Sequence, residues 1–200
     1  MASFHASEKA LDFERGCVLD FDLRTGLSQA VDTQKRYLSQ MKGMFADAGA
    51  YDKALECGDP VIYEFHSLPM EENPGDFSFG CSILNPGKIG REYYFTKGHF
   101  HTLLMTAEVY YCLKGHGYMM LENEEGDWSA QEIKAGQAVY VPKGYAHRSI
   151  NVSSDEQLVT FFVYRSDAGH NYGTIESKGY RKLLVESGGK PAVIDNPNWK

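Results

Sequence analysis

The 200-residue chain carries 27 acidic and 20 basic side chains, a formal charge of −7, and 42% hydrophobic residues. That length supports one compact domain with a buried core, with no need of metal or disulfide staples. An acidic balance without a Lys/Arg cluster predicts neither nucleic acid nor an anionic membrane surface as partner, and no apolar run approaches the roughly 20 residues of a membrane-spanning helix.

The N-terminal run MASFHASEKALDFERG lacks the basic-then-apolar pattern of a leader, so the expected location is the cytoplasm. Cys17, Cys57, Cys81 and Cys112 form no CxxC pair and read as free thiols. Residues 1–16 read as a polar arm, and the alternation over 17–23 predicts a short strand ending at Gly26. From 29 to 48, Ala30, Val31, Leu38, Met41, Met44 and Phe45 recur at three- and four-residue spacing, which predicts a helix weakened at Gly43. A second short helix over 51–55 should stop at Gly58 and Pro60.

Beyond Pro60 the texture changes. Short β-rich segments are expected over 61–68, 77–84, 93–103, 109–113, 118–122, 138–141, 147–152 and 158–165, punctuated by Gly, Pro and Asn. Strands at this spacing predict an all-β sandwich or barrel. The expected division is an arm with helices over 1–59, a barrel over 60–187 and an extended tail over 188–200, all one domain. Thirteen tyrosines suit sheet packing, and their hydroxyls suit a polar, hydroxylated ligand.

The chemistry concentrates in GHFHTLLMTAEVYYCLKG, residues 98–115. On a strand, His99 and His101 share a face, so their imidazoles can converge. On the returning strand Glu108, Tyr110 and Cys112 share one face, with Val109, Tyr111 and Leu113 on the other. A second stretch, 136–151, adds His147 after the Pro142-Lys143-Gly144 turn. Three imidazoles and a carboxylate suit Fe²⁺, Mn²⁺, Ni²⁺, Co²⁺ or Zn²⁺, and mixed N/O donors with open positions read as catalytic more than structural.

The second stretch fits G-x5-P-x-G-x2-H-x3-N at Gly136, Pro142, Gly144, His147 and Asn151, and so resembles the second cupin motif. The first departs from the commonest cupin form: six residues separate His101 from Glu108 and the leading glycine is absent. The run T-x-G-H-F-H-T from Thr96, continuing into TAEVYYCLKGHGYM, has the longer spacing of the cupin-type phosphoglucose isomerases. The resemblance covers roughly residues 60–175. It implies a cupin double-stranded β-helix, a jelly-roll barrel, with His99, His101, Glu108 and His147 holding one divalent metal per subunit, Fe²⁺ first among the candidates. It further implies a sugar-phosphate pocket at Ser82, where the family has threonine, and at Thr96, Gly98, Tyr110, Tyr164, His170 and Tyr172. Catalysis falls to Glu108 and His147 in an aldose-ketose isomerisation of glycolysis and gluconeogenesis. Glucose 6-phosphate and fructose 6-phosphate would interconvert through a cis-enediol or a hydride shift, in a homodimer. The rival readings are an iron-dependent cupin dioxygenase and a non-catalytic sugar-binding cupin.

In a regular strand Thr96 and Gly98 face away from His99 and His101, so one pocket can use all four only if the backbone breaks near Lys97-Gly98. Lys97 itself reads as a solvated lysine. His5, His66 and His116 lie outside the motifs and read as structural or surface histidines.

Overall fold

The computed structural model describes residues 12–199. A short edge strand β1 (Gln34–Tyr37) leads through a 3-10 turn into helix α1 (Ala48–Glu56), then β2 (Val61–Ser67), β3 (Phe77–Leu84) and the two-residue strands β4 (Lys88–Ile89) and β5 (Glu92–Tyr93). After an irregular segment come β6 (Glu108–Lys114), β7 (His116–Asn123), β8 (Trp128–Lys134), β9 (Ala138–Val141), β10 (Tyr145–Asn151) and β11 (Leu158–Arg165). Helix α2 (Gly173–Lys178) precedes a final hairpin of β12 (Lys182–Ser187) and β13 (Lys190–Asp195).

These strands form three antiparallel sheets, ordered β1-β2-β3-β11-β6-β9, β10-β7-β8 and β13-β12-β5-β4. The six-stranded order places β11 between β3 and β6, the non-sequential adjacency that wraps one sheet over another in a jelly roll. The expected all-β cupin barrel is the fold. Alternation assigns the faces: on β6, Glu108, Tyr110 and Cys112 are buried while Val109 and Tyr111 are exposed. Strand β10 is buried on both sides, because Arg148 points away from the barrel interior into a slot between Phe95 and Tyr180. Phe95, Met119, Met120, Ile133, Ile150 and Leu158 are fully buried in the core, each contributing roughly 2 kcal/mol by removal of apolar area from water.

Strands over 77–84, 138–141 and 158–165 match β3, β9 and β11 residue for residue, and the short helix over 51–55 lies within α1. Other expectations are corrected. The helix over 29–48 does not form: Gln34–Tyr37 is β1, and Gly43, with φ of +79°, ends the turn that follows. Leu38, Met41 and Phe45 are buried as expected, but Leu38 and Met41 lie in one 3-10 turn and Phe45 in the segment after it, so the three- and four-residue spacing marks packing without an α-helix. The segment 17–23 is not a strand. Its Phe21 packs on Phe79 and Phe161, and the Asp22 carboxylate accepts from the Arg24 and Thr25 amides to close a turn. Between Tyr93 and Glu108, Phe95, His99 and Phe100 make only isolated bridges. The tail is no extended arm, since Lys190–Asp195 pairs with β12 along its whole length. His5 lies outside the described residues.

Candidate active site

Gly98 is where the backbone breaks. Its φ is +77°, and a Cβ added there would lie 2.5 Å from the Tyr180 hydroxyl and 3.0 Å from the His147 carbonyl. Only glycine enters this conformation without strain in so tight a space. Immediately after it, His99 and His147 exchange backbone bonds, His147 N–H to His99 O at 3.2 Å and His99 N–H to His147 O at 3.4 Å. Just before it, the Thr96 amide donates to Ser149 O and the Ser149 amide donates to Thr96 Oγ1, each at 3.0 Å. The irregular segment is thereby clamped along β10, which joins the two sequence motifs. Asn151 anchors the same strand through Nδ2–H bonds to Leu84 O and Glu156 O.

The four expected donors converge. Ligand atoms of His99, His101, Glu108 and His147 all lie within 4.8 Å of one another. Glu108 Oε2 is 3.0 Å from His101 Nε2 and 2.9 Å from His147 Nε2. Two of the imidazoles have their tautomers set from behind. The Thr106 hydroxyl gives its proton to Leu103 O at 2.7 Å, so at 2.7 Å from His101 Nδ1 it must accept the Nδ1–H. The Tyr145 carbonyl, 3.4 Å from His147 Nδ1, can only accept as well. Both rings then present a bare Nε2 lone pair toward the Glu108 carboxylate, an arrangement that a cation between them would satisfy. His99 Nε2 and His147 Nε2 are buried without a well-directed hydrogen-bond partner. The donor set therefore fits a divalent metal.

Burial alone would raise the Glu108 carboxyl, but the imidazoles of His147, His101 and His99 outweigh it and hold Glu108 below the usual carboxylate range. His99 is pushed well below the ordinary imidazole range by burial, then by His147 and His170. Tyr110 is pushed up, by burial first and the Glu108 charge second, so its hydroxyl stays protonated as a donor.

Beside the donors opens a cavity of about 290 Å³. All seven residues expected at the sugar phosphate, Ser82, Thr96, Gly98, Tyr110, Tyr164, His170 and Tyr172, line it, together with His99, Glu108 and His147. His170 and Tyr172 reach over the metal end, with ring centroids 4.5 and 5.3 Å from His99. Lys97 does not line the cavity, and its Nζ is 2.8 Å from Glu176 Oε1 on α2. His116 pairs with Glu132 at 2.8 Å on the surface, and His66 stacks on Phe21 outside the cavity.

Sequence reasoning missed Gln34, Arg36, Tyr63 and Ser149 in the cavity wall, and Thr106 behind His101. Gln34 and Arg36 share a strand face at two-residue spacing, but four residues are too short a run for alternation to compete with the apolar spacing that mimics a helix.

The family model described as glucose-6-phosphate isomerase (GPI) matches residues 35–200. The chain belongs to the glucose-6-phosphate isomerase family. Curated members of the glucose-6-phosphate isomerase family in Pyrococcus furiosus and Thermococcus litoralis are each 45% identical to it, over 90% and 92% of this chain and 94% and 96% of theirs. A putative glucose-6-phosphate isomerase of Rhizobium meliloti is 38% identical over 92% of this chain and 87% of its own length. Among solved structures, an arginine-to-alanine variant of Bacillus subtilis oxalate decarboxylase matches with a TM-score of 0.42 and 20% identity, over 52% of this chain and 26% of that one.

Proposed function

We propose that the protein is a metal-dependent glucose-6-phosphate isomerase, which moves hydrogen between C1 and C2 of the open-chain sugar. The observation that carries this reading is one cavity lined both by three of the four clustered donors, His99, Glu108 and His147, and by hydroxyls at Ser82, Thr96, Tyr110, Tyr164 and Tyr172. Family membership fixes the substrate pair. His99, His101, Glu108 and His147 would hold the ion, with Fe²⁺ first among the candidates that three imidazoles and a carboxylate suit. When bound, it polarises the carbonyl and stabilises negative charge developing at O1 and O2.

Of the described residues lining the cavity, Glu108 alone carries a carboxylate, and it is ionised at neutral pH. It takes the C2 proton of open-chain glucose 6-phosphate while O1 gains a proton, giving the cis-enediol, and returns the proton to C1 as O2 loses its own, so the net transfer between oxygens is from O2 to O1. A carboxylate held below its usual range is a weak base, and a bound ion would supply the charge stabilisation at the oxygens that favours abstraction. Tyr110, kept protonated beside Glu108, donates a hydrogen bond toward the substrate oxygens. His147 and Glu108, with ligand atoms 2.9 Å apart, would share the ion, and His170 and Tyr172 cover the reacting end against water.

The test is fructose 6-phosphate conversion in D₂O. Deuterium appearing at the transferred position supports proton transfer by Glu108, while isomerisation without any solvent deuterium supports the hydride shift. Oxygen uptake without isomerisation would favour a cupin dioxygenase.

The reading includes a cytoplasmic homodimer. Val109, Tyr111 and Tyr140 lie exposed on the outer face of adjacent strands β6 and β9, an apolar surface of the kind that pairs. Light scattering on the eluting peak distinguishes the dimer from a monomer.

A further inference from the structure

Among the described residues that line the cavity, Glu108 is the single carboxylate and Arg36 the single Lys or Arg side chain. Arg36 enters from β1, paired with Tyr63 on β2, and its guanidinium carbon lies 5.1 Å from the centre of the Phe65 ring. Phe65 in turn is paired with Ser82 on β3, so Arg36, Phe65 and Ser82 follow one another across the inner face of the sheet. Tyr63, the register partner of Arg36, lines the same cavity as Thr96 and Gly98, which puts the guanidinium on the wall that faces that segment. Tyr172 lies within the field of Arg36 on one side and has its ring 5.3 Å from His99 on the other.

Among the described residues no carboxylate lies within ion-pair distance of Arg36, whereas the nearby Lys97 is engaged by Glu176 and the buried Arg148 faces Glu92 behind β10. A guanidinium presents a planar fork of donors that matches a phosphate. Placed half-buried in a cavity with its charge uncompensated, it favours an anion there.

We propose that Arg36 holds the phosphate dianion of the substrate, together with Ser82, Thr96 and the Gly98 backbone, and so sets the preference of the site for phosphorylated over free sugars. This rests on the isomerase reading above. The experiment combines steady-state kinetics on fructose 6-phosphate with calorimetric titration of inorganic phosphate, for the wild type and Arg36→Met. Loss of charge-assisted hydrogen bonds should raise KM about 10- to 100-fold with kcat within a few-fold, and phosphate binding should weaken to match. Arg36→Gln, which keeps a polar side chain on the edge strand, serves in the case where the methionine variant does not fold, with the same expectation. Unchanged KM, or phosphate bound by either variant as tightly as by the wild type, overturns the assignment. The titration needs no turnover, so a wild type that binds phosphate through Arg36 but does not isomerise would remove the isomerase reading and leave the anion site standing.

Discussion

Glu108 Oε2 lies 2.9 Å from His147 Nε2, a carboxylate from β6 against an imidazole from β10. The contact joins two motifs that sit on different sheets. Removing the imidazole should therefore open the donor cluster without unfolding the barrel. His147→Ala is expected to lose bound metal and to lower kcat/KM at least about 100-fold, since one of the four donors that would hold the ion is gone. Glu108→Gln should keep fructose 6-phosphate binding and lose most turnover. Elemental analysis with steady-state kinetics checks both, and a Glu108→Gln enzyme near the wild-type rate would refute the base.

Thr106 acts one step further back. Because its hydroxyl fixes the His101 tautomer, Thr106→Val should weaken metal affinity roughly 10- to 100-fold, while Thr106→Ser should restore most of it. Competition against a chromogenic chelator measures this. Equal affinities in the valine and serine variants would mean that the hydroxyl sets nothing.

Gly98→Ala meets two obstacles, a left-handed backbone and the Tyr180 hydroxyl 2.5 Å from the new methyl. The first alone costs about 1–2 kcal/mol. Adding Tyr180→Phe removes the close oxygen but not the backbone strain, so the double variant should regain part of the lost Tm and no more. Full recovery would show that the left-handed conformation is not required.

Burial lowers the His66 pKa in the folded state, with both ring nitrogens unpartnered beneath Phe21. The unfolded chain, titrating near 6.5, then binds more protons than the folded one as pH falls through that value. Stability follows the same direction, present above about pH 6.5 and lost on the acid side down to the folded pKa. His66→Phe should lose less urea resistance than the wild type between pH 7.5 and 5.5. Equal losses would show that His66 is not the group responsible.

How much of this was legible in the sequence depended on how local each signal was. Motif residues were readable because His99 and His101 stand two apart, Glu108 opens the next strand and His147 follows a Pro-Gly turn, and the structure gathers them within 4.8 Å. The break at Gly98 was inferred from a facing conflict, and its φ of +77° resolves that conflict. Arg36 was not readable. Leu38 and Met41 in one 3-10 turn and Phe45 after it fall at helical spacing, which hid the strand that carries Arg36 into the cavity. The closing hairpin of β12 and β13 was missed for a related reason: Gly188 and Gly189 read as a loose tail, whereas both take positive φ in the turn between paired strands.

The central claim is that isomerisation depends on a metal held by the four-donor cluster. The most direct measurement is fructose 6-phosphate conversion by protein stripped with a chelator, verified metal-free by elemental analysis, and then resupplied with each divalent ion in turn. Activity should fall by at least about 100-fold on stripping, in line with the loss of electrophilic stabilisation at the reacting oxygens, and return with at least one ion in the wild type but with none in His147→Ala. Undiminished turnover by verified metal-free protein would contradict the claim.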